Sequence, residues 1–214
     1  MDNLRLEQVS KRFQTNWIFR KLSVELSTGE SLFVNGPNGS GKSTLLKVIS
    51  GWVSPNEGTV VYRGASGEIS VDDVFNYVSI CAPYLELLEE FTLEELLNFH
   101  QGFKPLSEHN KANEFAGAIE IEFFSDKPIK LYSSGMKQRV KLGLALFGNS
   151  ELILLDEPTS NLDKTGIDWY KKTIIEKAKS RIVVVCSNDV EAEHFFCTKK
   201  IDLTDFKQHK TLDL

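Results

Sequence analysis

The sequence predicts an α/β fold with a mostly parallel sheet, an antiparallel β segment before it and a helical insertion within it. Three short apolar runs, at residues 31–34, 152–155 and 181–186, alternate with segments of helical periodicity, which is typical of a parallel sheet. The stretch between the first two runs, about residues 83–150, contains three segments of helical periodicity. We expect residues 1–214 to form a single domain that holds this insertion.

The N-terminal part of the chain contains strand-like segments on both sides of one helix. Alternating apolar residues and the Thr28-Gly29 turn indicate strands, and Pro83 limits the last strand before the insertion. Apolar residues from Leu45 to Ile49 form one face of a helix that ends at Gly51. The predicted strands are residues 4–9, 17–26, 31–34, 58–62 and 77–82.

Helices are predicted for the middle of the chain. Thr92 and Glu95 have the spacing of a capping box, which marks the start of a helix. Two further helices are expected at residues 108–119 and 136–147. After the insertion, the predicted elements are a buried strand at residues 152–155, a helix at residues 165–178 and a buried strand at residues 181–186.

Nine residues between the first apolar run and its helix match the GxxxxGKS phosphate-binding pattern. The glycines let consecutive backbone N–H groups point into one concavity, and the start of the helix adds a partial positive charge. In this pattern Lys42 reaches the β- and γ-phosphates, and the Ser43 hydroxyl ligates Mg²⁺. The sequence therefore predicts a nucleoside triphosphate site formed by Gly36, Pro37, Asn38, Gly39, Ser40, Gly41, Lys42, Ser43 and Thr44.

Two carboxylates follow the apolar run at residues 152–155. Asp156 at the strand tip is placed to hold Mg²⁺ directly or through water. Glu157 is placed to polarise the water that attacks the γ-phosphate. An acidic turn after a strand is common by itself, but the upstream phosphate-binding pattern favours the catalytic interpretation.

The motifs together resemble the nucleotide-binding subunit of ABC transporters. The resemblance rests on the GPNGSGKST stretch, on DEPTSNLD at residues 156–163 and on YSSGMKQRV at residues 132–140. It implies a P-loop NTPase core with an N-terminal antiparallel β subdomain and an inserted α-helical subdomain. It also implies ATP and Mg²⁺ as ligands.

The resemblance assigns roles to further residues. Phe13 matches the aromatic that stacks on adenine, although an ordinary core or surface aromatic is the alternative. Ser133, Ser134 and Gly135 match the family signature, which caps the γ-phosphate held by the other subunit of a dimer. Asp163 matches a loop that touches the partner across that dimer.

Some positions depart from the family pattern. The signature reads YSSGM instead of LSGGQ, and no glutamine lies between Tyr77 and Thr92, where the family has one that contacts Mg²⁺ and water. Ala82 or Pro83 takes that place. Asn188 stands where the family has a histidine that reads the γ-phosphate, so Glu157, Lys42 and Asn188 are the expected catalytic residues. Because the asparagine amide cannot accept a proton or carry a charge, we expect slow hydrolysis.

The charge and composition of the chain limit its possible binding partners and its cellular location. A net charge of −5 and a pI near 5.5 argue against a nucleic-acid surface. No apolar run approaches the length of a membrane span, and three widely spaced cysteines suit a reducing compartment. We expect a cytoplasmic protein, peripheral on the membrane through its partner.

The resemblance implies an ATP-binding and ATP-hydrolysing subunit that dimerises on ATP. The expected partners are a second copy or a paralogous ABC ATPase, and an integral membrane transporter subunit that docks on residues 83–103. The alternative is a non-transport ABC ATPase that acts as a scaffold or mechanical adaptor with slow hydrolysis. A role in DNA repair or translation is disfavoured by the acidic pI and the single short cassette.

Overall fold

The computed structural model describes residues 1–207, whose strands form two sheets. An antiparallel sheet has the order β2-β1-β4-β5, and a parallel sheet has the order β6-β7-β8-β3-β9. The first sheet consists of β1 (Asn3–Phe13), β2 (Asn16–Ser27), β4 (Glu57–Gly64) and β5 (Gly67–Ile69). The second consists of β3 (Ser31–Asn35), β6 (Val78–Cys81), β7 (Leu152–Asp156), β8 (Ile182–Ser187) and β9 (Lys199–Asp202).

The parallel sheet is covered on both faces. Ile153 and Leu155 of β7 pack into one hydrophobic cluster, whereas Leu152 and Leu154 pack into another. Every residue of β7 and β8 is buried. A strand covered on both faces has a continuous apolar run, and this explains why the sequence predicted these strands without an alternating pattern.

Within residues 1–207, six α-helices connect the strands. Their bounds are α1 (Lys42–Ile49), α2 (Leu93–Gln101), α3 (Ala112–Ala118), α4 (Ser134–Phe147), α5 (Lys164–Ala178) and α6 (Glu191–His194). The predicted capping box is confirmed, because Thr92 accepts from the Glu95 N–H and the Glu95 side chain accepts from the Thr92 N–H. Within the described residues, no helix is long and apolar enough to cross a membrane.

The predicted start of the second insertion helix was wrong. The sequence pattern indicated residues 108–119, but α3 begins at Ala112. His109 has a backbone φ of 57°, a left-handed conformation that a helix cannot include. Glu108 instead forms an ion pair with Lys177 of α5, so this segment links the insertion to the neighbouring helix.

The helices of the insertion share a core with the parallel sheet. Phe115 of α3 and Val140 of α4 are fully buried in the same cluster as Leu155 and Val185. The boundaries of a helical subdomain at residues 83–150 and of one domain at residues 1–214 stay predictions. Residues 208–214 lie outside the described residues.

Two helical glycines make a matched stability test. A Cβ at Gly143 of α4 would lie 2.6 Å from Ile119 Cγ2 and 2.7 Å from the Phe115 ring, whereas a Cβ at Gly117 of α3 meets nothing within 4 Å. Gly143→Ala should lower the free energy of unfolding by about 1–2 kcal/mol because overpacking exceeds the gain in helix propensity. Gly117→Ala should raise it by up to about 1 kcal/mol. Urea denaturation of both variants checks this, and a stabilised Gly143→Ala would contradict the packing at α4.

Candidate functional site

The phosphate-binding pattern forms the connection between β3 and α1. Gly41 precedes the first residue of α1 and has a φ of 108°, which disfavours any residue with a side chain. A Cβ there would collide with Ile18 Cγ2 of β2. The close approach of β2 and the backbone conformation together require glycine at this position.

The loop offers polar groups that fit a phosphate. The N–H groups in the first turn of α1 have no carbonyl partner within the helix, and the helix start carries partial positive charge. The buried Ser40 hydroxyl has no hydrogen-bond partner among the described residues. Donors at a helix start beside a glycine loop form an anion site, so the loop fits the phosphates of a nucleotide.

Lys42 lies inside the loop. It is 5% exposed, and its Nζ donates to the carbonyl oxygens of Gly36 at 2.5 Å and Pro37 at 3.2 Å. The same Nζ donates to Asn188 Oδ1 at 2.5 Å. The lysine is therefore held at the mouth of the loop by the segment that follows β8.

The structure brings together Ser43 and Asp156, the two residues that the sequence assigns to Mg²⁺. The Ser43 hydroxyl donates to Asp156 Oδ2 at 2.6 Å, which joins α1 to the end of β7. Burial raises the pKa of Asp156, and the hydrogen bond from Ser43 opposes that shift. A hydroxyl and a carboxylate are oxygen ligands that Mg²⁺ prefers, so this pair fits the ion.

Glu157 and Asn188 meet beside the loop. The Glu157 backbone has a φ of 46°, and its N–H donates to the Cys186 carbonyl at 2.9 Å. Asn188 Nδ2 donates to Glu157 Oε1 at 3.0 Å and to Asn38 Oδ1 at 2.8 Å. Asn188 thus contacts the side chains of Lys42, Glu157 and Asn38 beside the glycine loop.

A cleft of about 340 Å³ lies over the glycine loop, Asp156 and Glu157. Tyr84 is part of its wall, whereas Asn188 does not line it. Sequence reasoning placed Tyr84 only in the docking surface and missed it as a site residue. Lys47 Nζ lies 4.4 Å from the centre of its ring. Burial, with a smaller effect of Asp156, raises the pKa of Tyr84 to about 12. The signal that could have found it is its position, because an aromatic directly after Pro83 follows the end of a strand of the parallel sheet.

Comparison with known proteins identifies the family of this chain. Residues 19–160 match the family model described as ABC transporter. The chain belongs to the ABC transporter family.

Two relatives and one solved structure illustrate the similarity. ABC transporter A family member 7 of Arabidopsis thaliana is 30% identical over 84% of this chain, which spans only 20% of that protein. The lantibiotic transport ATP-binding protein SrtF of Streptococcus pyogenes is 29% identical, with 89% of this chain and 82% of that protein aligned. A dimeric ATP-binding cassette in a post-hydrolysis state with ADP and Pi shares the fold, with a TM-score of 0.73 at 24% identity over 93% of each chain.

Other residues expected to act in an ABC site lie outside the cleft. Within the described chain, Phe13, the signature residues and Asp163 do not line it. Phe13 ends β1, is 52% exposed and has Lys11 Nζ 5.3 Å from its ring centre. Because Phe13 does not line the cleft, its contact with adenine stays a prediction.

The signature of this ABC-family chain starts α4. Ser133 caps the helix by accepting from the Met136 N–H at 3.2 Å, and Ser133 and Ser134 are exposed. A Cβ at Gly135 would lie 3.1 Å from the Asn161 carbonyl oxygen, so a side chain there would crowd the loop before α5. The signature therefore offers a hydroxyl and helix-start N–H groups to solvent.

Asp163 has a structural role within the chain. Its side chain caps α5 by accepting from the Gly166 N–H at 2.8 Å, and it contacts Arg139 of α4 at 3.4 Å. The hydrogen bonds from Gly166 and Thr165 lower the pKa of Asp163. Asp163 thereby fixes the loop after β7 against the helix that begins with the signature.

Proposed function

We propose that this chain binds ATP with Mg²⁺ and hydrolyses it as the ATP-binding subunit of an ABC transporter. One observation carries the proposal: Lys42, the Ser43–Asp156 pair and Glu157 converge on the cleft over the glycine loop. Each of these groups suits a separate task in phosphoryl transfer, and the reaction requires all of them at one site.

Each group at the cleft would have its own part in catalysis. The loop N–H groups and Lys42 would bind the β- and γ-phosphates, and Ser43 and Asp156 would hold Mg²⁺. Bound Mg²⁺ would offset the negative charge of the phosphates. Glu157 would accept a proton from the attacking water, and Asn188 would orient the Glu157 carboxylate through its 3.0 Å hydrogen bond.

A second cassette would complete the site. Ser133, Ser134 and Gly135 lie outside the cleft of their own chain, at the start of α4. Their hydroxyl and N–H groups suit the γ-phosphate of a nucleotide on another chain. The proposed partner cassette is a second copy of this chain or a paralogous ABC ATPase, with Asp163 at the contact.

An integral membrane subunit is the other proposed partner. Exposed aromatic and aliphatic side chains cluster between Pro83 and Phe103, beside a cavity of about 290 Å³. Leu87 and Phe91 pack against the core, so they contribute less to this surface than the sequence alone suggests. The exposed members are Tyr84, Leu88, Phe99 and Phe103. Docking through this surface would place the chain on the cytoplasmic face of a membrane. The proposed partners do not include nucleic acid.

The alternative is a scaffold or mechanical adaptor that uses ATP-driven pairing without moving a solute. Asn188 and the lack of glutamine near Tyr84 favour it, because both departures affect the groups around the γ-phosphate. A pull-down from membranes with Glu157→Gln and ATP separates the two functions. Recovery of a polytopic membrane protein supports transport, whereas its absence at saturating ATP supports the alternative.

Asn188 should limit the rate of hydrolysis. Because its amide cannot accept a proton or carry a charge, Asn188→His should raise turnover by about 10-fold or more. A steady-state phosphate-release assay measures this at neutral pH, with Asn110→His on the surface as a control that leaves turnover unchanged. Equal turnover of Asn188→His and the wild type would contradict the limiting role.

A further inference from the structure

We propose that Glu193 is a positioning residue that holds the turn carrying Glu157. The inference deepens the proposed function and rests on it, since the position of Glu157 matters only if Glu157 acts on ATP. Glu193 lies on α6, in the segment that joins β8 to β9. Neither the phosphate-binding pattern nor the family signature includes it.

Glu193 is a buried acid with one specific contact. It is 2% exposed, and its Oε1 accepts from both the N–H of Thr159 at 2.9 Å and the hydroxyl of Thr159 at 2.7 Å. Its Oε2 is buried without a hydrogen-bond partner among the described residues. Burying a carboxylate with one oxygen unpaired costs free energy. The contact therefore does not serve stability alone, and this indicates a functional role for Glu193.

The turn that receives the contact is strained. Glu157 adopts a left-handed φ of 46°, which a residue with a side chain keeps only when its surroundings impose it. The Ser160 N–H donates to the Glu157 carbonyl at 3.0 Å, and Gln138 Nε2 donates to the Pro158 carbonyl at 2.8 Å. Thr159 lies between Pro158 and Ser160, and Glu193 accepts from its N–H and its hydroxyl.

The segment that carries Glu193 also carries Asn188. Asn188 contacts the Glu157 side chain, and Glu193 contacts the backbone two residues later. The hydroxyl of Tyr170 on α5 donates to the Glu193 carbonyl at 2.9 Å and anchors α6 from outside the site. One segment therefore holds both the side chain and the backbone of the catalytic turn.

Loss of the Glu193 carboxylate should affect turnover more than nucleotide binding. The turn would lose two hydrogen bonds, whereas Lys42 and the glycine loop keep theirs. Because a displacement of about 1 Å can cost 10²-fold in rate, Glu193→Ala should lower kcat by roughly 10- to 100-fold. The KM for ATP should change by less than about 3-fold, since the interactions of the bound phosphates are unchanged.

The test compares variants of the full chain at a temperature well below their melting points. Glu193→Gln keeps an oxygen that accepts from Thr159, so it should retain at least about half of the wild-type kcat. Thr159→Val removes one of the two donors and should lower kcat severalfold. Adding Thr159→Val to Glu193→Ala should lower kcat no further, because the two side chains act through one contact. Tyr170→Phe is the matched control, because it removes one hydrogen bond to the α6 backbone and leaves the Glu193 carboxylate in contact with Thr159. Its melting point should fall while kcat stays at the wild-type value.

Four outcomes separate the positioning role from the proposed function. Wild-type kcat in Glu193→Ala, or a loss in Tyr170→Phe as large as that in Glu193→Ala, would overturn the positioning role and leave the proposed function intact. Should Glu193→Ala not fold, an unchanged kcat in Thr159→Val overturns the role in its place. No hydrolysis by the wild type in a sensitive single-turnover assay would instead overturn the proposed hydrolysis itself, and this inference with it.

Discussion

Glu157→Gln is expected to lower ATP turnover by roughly 10²- to 10⁴-fold while ATP binding is retained. The amide keeps the shape of the side chain and a hydrogen-bonding group for Asn188, but it cannot accept a proton from water. Lys42 and the glycine loop are untouched, so the dissociation constant for ATP should stay within about 3-fold of the wild-type value. Phosphate release and equilibrium ATP binding, measured on the same preparation, check both parts.

A matched control is present on α2. Glu94 is an exposed acid in the first turn of that helix and lies outside the cleft, so Glu94→Gln should leave turnover unchanged. Turnover in Glu157→Gln equal to that of Glu94→Gln would show that Glu157 is not the proton acceptor.

Lys42→Ala is expected to weaken ATP binding roughly 10- to 100-fold. A hydrogen bond to a charged group contributes about 1.5–3 kcal/mol, and about 1.4 kcal/mol corresponds to tenfold in affinity. The substitution removes the charge that is proposed to hold the phosphates, and it also frees Asn188 Oδ1, which accepts a hydrogen bond from Lys42 at 2.5 Å. Isothermal titration with ATP and Mg²⁺ measures the change.

Lys172 on α5 supplies the control for this second prediction. It is exposed and lies outside the cleft, so Lys172→Ala should bind ATP like the wild type. Equal ATP affinity in Lys42→Ala and Lys172→Ala would mean that nucleotide does not bind at the glycine loop.

The sequence was sufficient for the parts of the site whose geometry is local. The GxxxxGKS spacing defines a loop between a strand and a helix, so Lys42 and Ser43 could be assigned from the spacing alone. Asp156 ends a fully buried strand and Glu157 follows it, and the end of that strand in a parallel sheet lies at the same edge as the loop. The 2.6 Å contact between Ser43 and Asp156 follows from these two facts.

The parts that the sequence missed depend on contacts between distant segments. Tyr84 reaches the cleft because β6 pairs with β7, so its place in the site depends on a strand pairing that the sequence did not specify. Glu193 lies in a four-residue helix and belongs to no sequence motif. Only its burial against Thr159 distinguishes it from the other acidic residues. The start of α3 was misplaced because His109 adopts a left-handed backbone that its residue type does not require.

One edge strand of each sheet, β5 and β9, was also missed for physical reasons. β5 has three residues, which is too short for an alternating pattern to be recognised. β9 begins with exposed Lys199 and Lys200, which are typical of a polar loop, yet it pairs with β3 at the edge of the parallel sheet. Lysines on an edge strand protect it from pairing with other chains.

The central claim is that the glycine loop holds the phosphates of ATP and Glu157 faces the γ-phosphate. A crystal structure of Glu157→Gln with ATP and Mg²⁺ tests it most directly. We predict β- and γ-phosphates within hydrogen-bonding distance of Lys42 Nζ and the loop N–H groups, with Mg²⁺ on Ser43. Nucleotide bound elsewhere, or a loop without nucleotide in crystals grown at saturating ATP, would contradict this claim.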